Sequence, residues 1–186
     1  MSPLGDNAPP TRPDIETIAA AARPALGSIT HARLLPGRVR GRDDRTLATT
    51  NPAALAADGA LRGAALAVRV SVRFDPVAGA SIAGYSYRLL ERNGRELLVF
   101  HWHPDPTVPA PTFPHLHVSA RLVVPNPAGD PDTLPLDKLH LPTGHVSLPA
   151  VVRMLIEEFA VRPLTPTWQA RLTEAEATLQ GRPGTG

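Results

Sequence analysis

Of the seven histidines in this chain of 186 residues, all but His31 lie between positions 101 and 145. Four of them form two pairs of the same spacing, His101-x-His103 and His115-x-His117, and His140 and His145 follow. An imidazole with a reference pKa near ~6.5 can take or give a proton close to neutrality, and its neutral form ligates metals. Two chemistries follow from such a cluster. Metal-independent RNA cleavage needs a base for the ribose 2′-hydroxyl, an acid for the leaving 5′-oxygen and a cation over the phosphate oxygens. His101, His103, His115 and His117 are the candidates for the first two roles and Arg121 for the third. Tyr85 and Tyr87 could stack a base or offer a hydroxyl, and His145 could reach the same end as a substrate contact. Cofactor-free chemistry is therefore one expectation. The alternative is a zinc site built from the same four strand histidines, because cross-strand pairs can converge on one ion. A third reading is a non-enzymatic module whose histidine face binds protein or RNA.

Composition removes several other classes. The chain has no cysteine, so thiolate zinc sites, thiol nucleophiles and disulfide scaffolds are excluded. No run of residues approaches the ~18–20 apolar positions of a membrane span. The first residues lack both the charged and the apolar stretch of a secretory signal, so the expected location is the cytoplasm, with no membrane partner. The formal net charge is +2, and Lys138 is the single lysine. An arginine-dominated cation set suits bidentate phosphate binding, although charge alone does not select RNA as the partner. No Gly-rich phosphate loop and no G-x-S-x-G elbow occurs.

The elements that must position the histidines point to an α+β fold: an antiparallel meander of four to five strands packed on an amphipathic helix, with extra N- and C-terminal helices. Leu66, Val68, Val70, Val72 and Phe74 alternate with Ala67, Arg69, Ser71 and Arg73, the period of a half-buried strand. A second strand over 82–92 ends at Asn93-Gly94, a dipeptide suited to a type I′ hairpin turn. Strands over 95–103 and 115–124 follow, joined by residues 104–114 with five prolines. A short strand near 136–141 is a further option. Ser147 as N-cap, Pro149 in the first turn and the stripe Val151, Val152, Leu155, Ile156, Phe159 define the packing helix. On this pattern the chain divides into a Pro-rich disordered tail (1–13), a helical or irregular extension (14–63), the meander domain (64–160), a C-terminal helix (161–180) and a disordered end (181–186). Within the extension, a helix over 15–22 capped by Asp14 and broken by Pro24 is expected, then an Arg-rich loop or irregular strand over 33–45. A short helix from Asn51-Pro52 to about Asp58 follows. Alternation puts His101 and His103 on the face opposite Phe100 and Trp102, and His115 and His117 on the face opposite Leu116 and Val118.

One resemblance adds to this. The run Tyr85-x-Tyr87, Asn93-Gly94, the aromatic strand over 100–103, the proline-rich link, Phe113-Pro114-His115-x-His117 and a closing helix resembles the TumE family of toxin–antitoxin toxins over about residues 82–160. The resemblance implies a small bacterial toxin acting on RNA and held inactive by a cognate antitoxin protein.

Overall fold

A computed structural model describes residues 15–38, 45–77, 79–105, 107, 111–125 and 131–180. The expected tails and the Asp14 cap lie outside the described residues. The architecture is α+β, as the pattern indicated, but with more strands than four or five. Strands β1 (Leu34–Arg38), β2 (Arg45–Thr49), β4 (Ala65–Asp75), β5 (Gly79–Leu90), β6 (Glu96–Trp102), β7 (His115–Val118) and β10 (Leu141–Pro142) lie side by side in that order. The short β3 (Ala53–Ala54) also pairs with β4, and every pairing is antiparallel. β8 (Arg121–Pro125) and β9 (Pro131–Pro135) form a separate hairpin.

The helices are α1 (Ile15–Leu26), α2 (Leu148–Glu157) and α3 (Trp168–Gln180). They close over one face of the large sheet. Val68, Val70, Tyr85 and Tyr87 of the sheet share a core with Ile18, Leu26, Val152, Leu155 and Leu172, and Leu98, Phe100 and Trp102 pack at its border. Burying a Leu or Val side chain is worth ~1.5–3 kcal/mol, so this layer carries most of the fold's stability. Ser147 caps α2 as its sequence indicated: its Oγ accepts from Ala150 N at 3.2 Å.

Several local expectations are corrected. α1 runs through Pro24 to Leu26. The lost N–H falls in the last turn, and complete burial of Ala25 and Leu26 outweighs it. The segment after Asn51-Pro52 is a strand, because Ala53 and Ala54 pair with Leu66 and Ala65, and Leu55 N donates to Ala64 O. The described parts of the Arg-rich segment are regular: β1 and β2 extend the sheet beyond β4, so the region before residue 64 is continuous with the meander. The Asn93-Gly94 turn is a hairpin turn of a different type. Gly94 alone in it has positive φ (87°), and Gly94 N donates to Glu91 O, the pattern of a type I turn closed by a glycine bulge. Finally, the strand expected over 115–124 breaks at Ser119–Ala120, and its second half pairs with β9. Residues 136–138 form a 3-10 turn, with the strand delayed to Leu141.

Candidate functional site

The register of three strands builds the site. His101 of β6 stands directly opposite His115 of β7, and Val99 stands opposite His117. Phe100 faces Leu116 across the same pair and points to the helix side. The strand histidines therefore project from the face the helices leave open. β10 adds one more: Leu141 pairs with Leu116, so the residues flanking it, His140 and Pro142, fall on the histidine side.

The result is a compact group of imidazoles. Ring centroids lie 5.6 Å apart for His101 and His115, 5.0 Å for His115 and His117, and 6.5 Å for His101 and His117. His140 sits 4.7 Å from His117 and 5.0 Å from His115. His101, His115 and His117 each turn one ring nitrogen inward, and these three atoms lie within 4.8 Å of one another, so the triad could hold a metal ion. His115 is 1 % exposed and its Nδ1 lies 2.8 Å from Phe113 O. A carbonyl only accepts, so Nδ1 carries a proton, and in the neutral ring the lone pair is on Nε2. Metal-binding histidines are oriented by this kind of bond. His103 lies against His101, Nε2 to Nε2. Two imidazole nitrogens that face each other need a proton or a cation between them.

Electrostatics favour the neutral form of two members, His101 and His103. Burial, followed by the charges of His103, His115, His117 and Arg88, pushes His101 down to about 4. Burial lowers His103 as well, with His115 and Arg69 adding to it. His101 therefore stays unprotonated near neutral pH.

No family model, curated protein or solved structure matches this chain. The site's chemistry therefore rests on its own residues.

Each candidate from the sequence can now be placed. His101, His103, His115 and His117 come together. Arg121 lines the same groove, together with Arg69, Arg88 and Lys138, but it starts β8 instead of continuing β7. The expected substrate contacts need correction. Tyr85 and Tyr87 are 4 % and 2 % exposed, stacked on each other at 4.9 Å on the helix side. Tyr85 Oη accepts from Val146 N at 3.0 Å, which ties β5 to the entry of α2. Burial raises both phenols, so neither offers a proton or a stacking surface to a substrate in the groove. His145 packs edge-on against Trp102 at 4.2 Å, and Trp102 belongs to the helix side. Asp105 Oδ1 accepts from Thr107 N and Oγ1, closing a turn in the proline-rich link.

Sequence reasoning gave His140 too little weight and missed Arg69 and Arg88. Signals for all three existed. Arg69 belongs to the polar alternation of β4, and the parity that exposes it is the parity that exposes His101. None of the described helices is long and apolar enough to cross a membrane.

Proposed function

We propose that this protein is a metal-dependent, ribonuclease-like hydrolase whose centre is one zinc-class divalent ion held by His101, His115 and His117. The observation that carries the reading is the mutual approach of the three ligand nitrogens to within 4.8 Å, from adjacent strands. Tetrahedral zinc with Zn–N of ~2.0–2.1 Å brings its donors to about 3.4 Å from one another, a contraction that small ring rotations supply. Three histidines and an open fourth position form the donor set of catalytic zinc, whereas structural sites fill all four positions. Bound there, the ion supplies a water of lowered pKa and a Lewis acid for a phosphoryl oxygen.

The chain's own residues supply the remainder. The bond from His115 Nδ1 to Phe113 O fixes the ring and leaves Nε2 as the nitrogen able to ligate. Neutral His101 is ready to ligate without first losing a proton. In the proposed step, water adds to phosphorus, the bond to the 5′-oxygen breaks, and that oxygen takes a proton, giving a phosphate monoester and a free hydroxyl. His140 is exposed beside His117, in position to pass that proton. A metal-free mechanism asks one imidazole of the cluster to stay protonated as the acid, and the lowered His101 and His103 are poorly suited to it.

The test is cleavage of single-stranded RNA by untagged protein. The proposal expects cleavage that a chelator stops and zinc restores. Chelator-resistant cleavage would put the metal-free histidine mechanism in its place. Absence of cleavage in both states would leave a binding module. In a toxin-like role, expression would arrest bacterial growth, and His117→Ala would relieve the arrest.

A further inference from the structure

Two cross-strand rows run from the histidines across the open face. In the first, Arg69 pairs with Ser86, Ser86 with His101 and His101 with His115. In the second, Arg88 pairs with Val99 and Val99 with His117. With strands ~4.7–4.9 Å apart, each arginine backbone stands about 10 Å from its histidine, on the same face and on the same side of the cluster. Arg69 and Arg88 are both exposed. Arg69 has no carboxylate partner among the described residues, and Arg88 touches Glu96 only at 3.4 Å, with both side chains about half exposed. An exposed pair of that kind is worth little and exchanges readily for a phosphate. The wider groove adds Arg121, Lys138 and Arg95, the last bound through two nitrogens to Glu91; Glu96 is the one carboxylate among the described lining residues. The described lining contains no Phe, Tyr or Trp.

We infer that Arg69 and Arg88 form a subsite for the phosphates next to the scissile one, so that the groove takes a single-stranded polynucleotide and reads its backbone without regard to base. The inference rests on the proposed reaction for the meaning of "scissile", but the binding it describes does not depend on turnover. Several phosphates are implied because the cations extend along two successive rows and beyond, farther than one phosphate reaches. A single strand is implied because the functional nitrogens lie on the floor of a sheet, where a flexible backbone can be laid down. Base independence is read from the groove lining alone: Tyr85, Tyr87 and Trp102 belong to the helix side, and the exposed Phe113, 5.8 Å from His115, is not among the described lining residues.

The experiment measures binding of fluorescent single-stranded homopolymers, uridine and adenosine, ribo and deoxy, to full-length protein across a salt series with chelator present to stop cleavage. Arg69→Gln and Arg88→Gln are compared with wild type, with hydrolysis of bis(p-nitrophenyl) phosphate as the control for the metal centre. We expect similar affinity for both bases, and a log–log salt slope that loses about 0.7 for each arginine removed. We expect the double variant to bind at least about tenfold more weakly at moderate salt while retaining hydrolysis of the small ester. Preference for ribo over deoxy strands would assign the 2′-hydroxyl a contact, and equal binding would assign recognition to phosphate alone; both agree with the inference. An unchanged slope in both variants, or strong preference for one base, would overturn it. Loss of small-ester hydrolysis in wild type with the arginine effect intact would remove the hydrolase reading and keep the subsite.

Discussion

The two faces of the central sheet are made from alternate residues of the same strands, yet they do opposite work. On the helix side, Val70, Tyr85 and Trp102 follow one another across neighbouring strands, the first two buried in the core shared with the helices and Trp102 packed at its border. One residue along, Arg69, Ser86, His101 and His115 follow one another on the open side. The first row gains its energy from water excluded, and the second keeps polar groups close together against their mutual repulsion. The stable face positions the unstable one. Gly84 shows how tightly the two are coupled: a Cβ there would meet Trp102 O at 2.9 Å, at the end of the strand that carries His101.

Substitutions separate the faces. The largest effect on stability belongs to the helix side, where Leu155→Ala, at a fully buried position, should cost ~2–5 kcal/mol in denaturant unfolding. On the open side, His117→Ala should leave unfolding nearly unchanged and lower metal affinity and RNA cleavage by more than about 100-fold, the upper range for losing only a supporting bond. A His117 variant that unfolds as readily as Leu155→Ala would erase the distinction between the faces.

Acid offers a milder probe. The folded state holds His101 at about 4, below its unfolded value of ~6.5, so between those values the unfolded chain binds more protons. The resulting stability is complete above pH ~6.5 and is lost as pH falls toward 4. Melting temperatures of metal-free protein should decline through that window, and His101→Gln should flatten the decline. A profile unaffected by the substitution would show that His101 is not held neutral by the fold.

The smallest effects come from single hydrogen bonds. Ser147→Ala removes the cap of α2 and should cost ~1 kcal/mol. Tyr85→Phe removes the acceptor for Val146 N at similar cost. Neither should alter RNA binding, and weaker binding in Tyr85→Phe would return that tyrosine to the substrate.

These contrasts also explain what the sequence could show. Alternation in 66–74 and 95–103 made the strands and the histidine face legible, because a period of two is imposed by the backbone itself. The stripe of α2 and its Ser147 cap were equally plain. Alternation cannot say which strands pair. That the Arg-rich stretch pairs with β4 through β2, that β7 stops at Val118, and that the two-residue β10 delivers His140 are all decisions of tertiary register. The tyrosines misled for the same reason. Their parity matched that of Val68 and Val70 across β4, a pairing unknown until the register is seen. The central triad was legible as four histidines; the bond from His115 to Phe113 O that orients it was not.

The most direct test of the account is the metal content of untagged protein purified without added chelator, measured with cobalt(II) substitution to report the donor set. The account predicts about one zinc-class ion per chain, a cobalt spectrum characteristic of tetrahedral nitrogen and oxygen donors, and loss of both in His115→Ala while the fold persists. Protein that binds no such ion at micromolar metal, or that binds it unchanged after His115→Ala, would contradict it.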